Sequence, residues 1–380
     1  MSISQVKSEL QANQPRPNFT ITLNEKLEGF DFLRTIFSIA IVALHSELFL
    51  LAGVVTIGSL CFAKLLKANV VYLAVPVFLQ MALFLFLVKS EKVGFQYFLR
   101  RRLPKLLSLY FFWVLSFVLL NFLFKGQFEF FDLSSFSIKR LIEFKVSGGN
   151  TPFYFFFSLL FVTFFAELVL FLFRRLKTPL LRTLVSYSLL AGSCIAIFLF
   201  STISFIFQDA GNEYSKVLGV IHSLSQWNYN PLNFLPYIFT TAILVQELNE
   251  GRLQRFTPAM KLKLYSLGFL FLGFTVWEWH FQENLLHYSR LSLVFGSWLL
   301  LYLSLLLTRK SSQAIRFIAG CSLGIYAFHL FFTHLLFVGN ADISQVVPGI
   351  GAVIEFLIAL FASIALTLFF RKIKLLKGFV

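Results

Sequence analysis

Residues 30–53 read FDFLRTIFSIAIVALHSELFLLAG, an apolar run long enough to cross a bilayer that nevertheless carries Arg34, His45 and Glu47. A charge at the centre of a membrane helix costs roughly 2.5–3.5 kcal/mol on insertion scales, so such groups mark either a functional site or a partner across a helix interface. The rest of the chain fixes the setting. Of its 380 residues 58% are hydrophobic, 18% aromatic and only 13% charged, and the mean hydropathy is +0.78. Its successive apolar runs match the roughly 20 residues that a helix needs to span a hydrocarbon core of about 30 Å. Only helices and closed barrels satisfy backbone polar groups in lipid, and these runs lack the period of two that barrel strands require. The expected fold class is therefore an all-α polytopic membrane protein.

Ten spans are expected, at residues 32–54, 70–88, 106–124, 152–173, 183–206, 233–248, 264–279, 291–307, 317–338 and 349–370. Residues 1–29 form a polar tail, 30–370 the membrane domain and 371–380 a basic tail. The polar start lacks the charged n-region of a cleavable signal peptide. With the amino terminus inside, twenty-four of the 33 Lys and Arg fall on the cytoplasmic side and eight outside, with Arg34 within the first span. Cytoplasmic excess of Lys and Arg sets orientation, so both termini are expected in the cytoplasm. The net charge of +15 is thus a topology signal rather than a nucleic-acid footprint. Two longer segments, 125–151 and 208–232, are expected outside. Cys61, Cys194 and Cys321 are too scattered for a disulfide framework or a zinc site.

Arg34 and His45 are eleven positions apart. At about 100° per residue that separation is three turns plus roughly 20°, so both lie on one helix face, about 16 Å apart along the axis. Arg34 either snorkels to the inner headgroups or lines a cavity. His45 lies past the middle of its expected span, where it serves either as a helix-to-helix hydrogen bond or as a general base. The segment FLRRRLPKLLSLY, residues 98–110, reads as an interfacial helix whose arginines attract anionic lipid or grip phosphates by forked hydrogen bonds.

Four segments in order carry a resemblance to a known family. FDFLRTIFSIAIVALH resembles the opening LDGLRGIAILLVVLFH of the acyltransferase 3 family of membrane acyltransferases. FLRRRLPKLLSLY is similar to its RRxxRxxPxY element, TPFYFFFSLLFVTFF to its HLWFLxALL span, and AGCSLGIYAFHLFF to its LGxxSYxIYLFH segment. The chain departs from the family at VFLQMALF, where Met81 and Ala82 stand in place of the Ser and Gly of FFVLSG, and at Pro104, which comes early. The resemblance implies acyl transfer from acetyl-coenzyme A, as co-substrate, to a hydroxyl of a lipid-linked or exported surface glycan. It makes His45 the base or acyl carrier and His329 a second catalytic residue, which hydrogen-bonds a tyrosine or helps close the cavity. Arg34, Arg100, Arg101 and Arg102 become the donor-binding set, and Glu47, Ser322 and Tyr326 supporting residues. The implied setting is a bacterial inner membrane.

The other ionisable groups carry weaker signals. His280, Glu283, His287 and Arg290 sit in HFQENLLHYSR, read as a solvated outer loop, and Glu278 with His280 lacks the further ligands of a metal site. Glu167, Glu247 and Glu355 are expected to pair with neighbours, and His222 and His334 carry no usable signal. A transporter or flippase for a glycan or lipid is the alternative function, although no internal repeat or matched pair of broken spans supports it.

Overall fold

A computed structural model describes residues 23–49, 56–57, 60–125, 153–176, 178–209, 227–254, 256–282, 285–307, 310–336 and 350–380. Of the two segments expected outside, residues 126–151 and 210–226 lie outside the described residues, as does the amino-terminal tail up to Thr22. The elements are helices α1 (Leu23–His45), α2 (Phe62–Asn69), α3 (Ala74–Val93), α4 (Leu103–Lys125), α5 (Tyr154–Arg175), α6 (Pro179–Asp209), α7 (Pro236–Asn249), α8 (Pro258–Phe281), α9 (Leu291–Leu306), α10 (Gln313–Leu330) and α11 (Ile350–Lys372). One antiparallel ladder of two residues per strand, Thr56–Ile57 with Leu60–Cys61, precedes α2.

Seven of the described stretches are long and apolar enough to cross a membrane: Phe62–Val93, Phe95–Leu120, Tyr154–Arg175, Pro179–Thr202, Pro258–Phe281, Gln313–Thr333 and Ile350–Lys372. Helix α9 is apolar but shorter, and α1 and α7 are not among the seven. The protein is therefore a helical integral membrane protein in which seven helices meet the spanning criterion.

The first helix corrects the expected 32–54 span. It starts at Leu23, because LNEKLEG is built of helix formers and the Glu28 carboxylate accepts from the Ser311 amide at 2.9 Å. It stops at His45 although apolar residues continue. The Ser46 amide still reaches Val42 O at 2.9 Å, and Glu47 then turns to φ 55°, a left-handed helix end. His45 therefore occupies the last turn of α1 rather than the interior of a longer span.

Helices approach closely where side chains are small, the usual solution for packing in lipid. A Cβ at Gly29 of α1 would overlap the Ser304 carbonyl of α9, and one at Gly324 of α10 would overlap Thr367 of α11. The core is aromatic: Trp113 of α4 contacts the rings of Phe153, Phe328, Phe331 and Phe370. Helices α8 and α11 lie at the periphery, with 11% and 17% of their most apolar windows buried. After α11 the chain folds back onto α4. The Phe379 ring stacks on Phe112 at 4.0 Å, the Trp113 indole donates to Phe379 O at 3.2 Å, and Lys105 reaches Gly378 O.

Candidate active site

Helices α1 and α10 lie side by side and run in the same direction. At one end are Glu28 and the Ser311 amide; farther along, the Thr35 hydroxyl donates to Ile315 O at 3.0 Å. At the other end the His45 and His329 rings face each other, their centroids 5.1 Å apart. Two histidines separated by most of the sequence thus meet because two helices share one direction and end at one level.

The buried His329 places Nδ1 at 3.0 Å from Ile325 O, one turn back. A carbonyl only accepts, so Nδ1 carries a proton directed at Ile325 O. Tyr326, fully packed on the same helix, has its ring 6.0 Å from His329. Helix α10 then widens into a π-helical stretch, Phe331–Leu336, where the Thr333 hydroxyl donates to His329 O at 3.1 Å. Such widened turns often accompany functional sites.

His45 is half-buried and lines a cavity of about 60 Å³ whose polar wall is made of tyrosines: Tyr72, Tyr154, Tyr229, Tyr288 and Tyr326. Ile41, Leu44, Val71, Ala74 and Val75 complete the lining. The phenols brace one another. Tyr154 donates to the Tyr288 hydroxyl at 2.6 Å, Tyr154 and Tyr229 stack at 4.1 Å, and the Tyr72 hydroxyl donates to Leu286 O at 3.1 Å. Burial pushes the loop phenols Tyr229 and Tyr288 above the ordinary tyrosine range, so both are neutral hydrogen-bonding groups at physiological pH.

The loop bearing Tyr288 is held from below by Arg290, which is wholly buried. Its guanidinium forms an ion pair with Glu278 at 2.8 Å and donates to Ala68 O at 2.8 Å, Leu285 O at 2.9 Å and Asn69 Oδ1 at 2.6 Å. The expectation of a solvated loop is overturned at this residue, because the partner carboxylate of Glu278 lies at the end of α8 directly across the turn. Glu167 and Glu247 pair as expected, with Arg174 at 3.2 Å and Lys263 at 2.5 Å.

The basic element is split. Residues Phe98–Arg102 form a π-helical stretch that leads into α4, leaving Arg100 and Arg101 exposed while Arg102 turns inward. The Nε and Nη2 atoms of Arg102 are buried and have no hydrogen-bond partner among the described residues. Arg34 is half-buried on α1, with Asp31 one turn earlier as its electrostatic neighbour. Glu47 is exposed just beyond the end of α1, and Ser322 is half-buried on α10, two turns before His329. The structure therefore gathers His45, His329 and Tyr326 at one locus and leaves Glu47, Ser322, Arg100 and Arg101 outside it. Four of the cavity tyrosines, Tyr72, Tyr154, Tyr229 and Tyr288, are not marked by the sequence motifs. Their single signal is that each stands beside a turn or helix end: VYL, PFY, WNYNP and HYSR.

An acyltransferase domain model, acyltransferase 3, matches residues 27–372. No curated protein and no solved structure matches the chain. The domain match takes in the paired histidines and nearly every described helix, and it decides against the transporter alternative. The chain belongs to the acyltransferase 3 family and is a membrane acyltransferase.

Proposed function

We propose that the protein is an O-acyltransferase of a bacterial inner membrane that moves an acetyl group from acetyl-coenzyme A to a hydroxyl of a lipid-linked or exported surface glycan. In this reading the chain crosses the membrane ten times with both termini in the cytoplasm. The observation that carries it is the His45–His329 pair, 5.1 Å apart beside a small hydroxyl-lined cavity in a domain of the acyltransferase family.

Acyl transfer needs a base for the alcohol proton, donors for the developing oxyanion and a cationic site for the carrier phosphates. His45 removes the proton from the acceptor hydroxyl. The oxygen forms a bond to the thioester carbonyl carbon, the tetrahedral intermediate collapses with cleavage of the C–S bond, and the departing thiolate takes the proton from His45. The products are an O-acyl ester and free coenzyme A. The last turn of a helix presents uncompensated carbonyls, which favour the positive charge that His45 acquires during the step. His329, its Nδ1 proton directed at Ile325 O, stands at the same locus. The Arg102 donors that have no partner among the described residues suit a carrier phosphate, and Arg34, about 16 Å before His45 along α1, is the second cation of the donor set.

The test uses purified protein in lipid with labelled acetyl-coenzyme A and measures thioester consumption together with membrane yield. Loss of a general base costs on the order of 10²- to 10⁴-fold in rate. His45→Ala is expected to lose activity on that scale at unchanged yield. A variant retaining more than about a tenth of parental activity removes His45 from the base role.

A further inference from the structure

We infer that the tyrosine-walled cavity beside His45 is the acceptor subsite and that it takes the uncharged hydroxymethyl end of a sugar, so that the group acylated is a primary hydroxyl. This inference rests on the acyltransferase reading and specifies which part of the acceptor reaches the base.

Size argues first. The cavity measures about 60 Å³. One water needs about 10–15 Å³ measured in this way, so the space holds about four non-hydrogen atoms. A hexose ring is several times larger and stays outside. An exocyclic CH₂OH brings about two non-hydrogen atoms beyond its ring and fits, whereas a ring hydroxyl brings its carbon, both neighbours and their substituents, about six atoms or more. The apolar lining residues Ile41, Val71 and Val75 suit the methylene, and the lining phenols suit the hydroxyl.

Charge argues second. Apart from His45 and the phenols, no lining residue among the described residues ionises. Arg290, two residues after the lining Tyr288, is neutralised by Glu278 at 2.8 Å and donates also to Ala68, Leu285, Asn69 and Ser292. A carboxylate or phosphate entering this cavity would lose hydration without gaining a counter-ion, which is costly. A neutral alcohol loses little.

Hydrogen bonding argues third. Tyr288 accepts from Tyr154, which leaves the Tyr288 proton for a further acceptor, and Tyr288 lines the same cavity as His45. A hydroxyl placed there accepts from Tyr288 and donates to His45. The transfer step then balances as above: the O–H proton passes to His45, the C–O bond forms, the C–S bond breaks and the thiolate leaves with the proton.

The test compares methyl glucoside with methyl xyloside, which has ring hydroxyls but no hydroxymethyl group, using purified protein in lipid and labelled acetyl-coenzyme A. Acetylation of methyl glucoside at its primary hydroxyl, with none of methyl xyloside, is expected. Loss of one neutral hydrogen bond corresponds to about 2- to 13-fold in affinity. Tyr288→Phe is therefore expected to raise the apparent KM for methyl glucoside within that range. Tyr229→Phe serves as a second variant. Thioester turnover with ring-hydroxyl acetylation, equal use of both glycosides, or transfer to neither overturns the subsite and leaves the acyltransferase reading standing. No thioester turnover under any condition overturns both.

Discussion

Arg102 carries two buried N–H donors with no partner among the described residues, an arrangement that costs stability unless an anion completes it. Its neighbours Arg100 and Arg101 are exposed to solvent or headgroups. Hydrogen bonds to charged groups contribute about 1.5–3 kcal/mol, about 10- to 150-fold in affinity. Arg102→Gln is expected to raise the apparent KM for acetyl-coenzyme A on that scale with kcat little changed, whereas Arg100→Gln shifts it less than about twofold, as exposed charges do. Equal effects of the two substitutions in steady-state kinetics would make the basic run a lipid anchor. At this scale the sequence was partly legible. Arg34 and His45 stand out because ionisable groups are conspicuous in an apolar run, but nothing in RRR distinguishes the third arginine from the first. That distinction comes from the π-helical phase shift before α4. The cavity tyrosines were illegible for the opposite reason: in a chain with 52 Phe and 12 Tyr, four phenols contributed by four separate segments carry no local pattern.

The short elements between α1 and α3 and between α8 and α9 depend on one buried clasp. Arg290 ties Glu278 at the end of α8 to the carbonyl of Ala68 and the side chain of Asn69 at the end of α2, and Tyr72 reaches the same loop through Leu286 O. Removing one partner of a buried pair leaves an uncompensated charge and costs about 3–5 kcal/mol. Arg290→Met is accordingly expected to lower the midpoint of thermal unfolding in detergent and to weaken acceptor transfer, because Tyr72 and Tyr288 lose their common support. Replacing both partners, Arg290→Met with Glu278→Met, is expected to recover much of the stability, since an apolar pair carries no stranded charge. A single variant as stable as the parent would mean that the clasp is not holding these segments. Helix positions were legible from hydropathy because each apolar run is one helix. The end of α1 was not, because its stop at His45 is set by the left-handed Glu47 and not by any loss of apolar residues.

Across the whole molecule, the orientation proposed from twenty-four inner against eight outer basic residues is open to a direct check. In a background without Cys61, Cys194 and Cys321, Lys216→Cys is expected to react with an impermeant maleimide added to spheroplasts, and Lys374→Cys only after permeabilisation. The reverse pattern would invert the protein. The pairing of α1 with α10 has a consequence for how the protein is made. His45 and His329 are 284 residues apart in the chain, a delay of roughly 15–60 s at ribosomal speeds of 5–20 residues per second. During that interval α1 waits in the bilayer without the neighbour that completes its reactive end. Under the proposed acyl-transfer reading, a nascent chain holds one histidine of the pair without the other, and activity is expected to appear only once α10 has arrived beside α1.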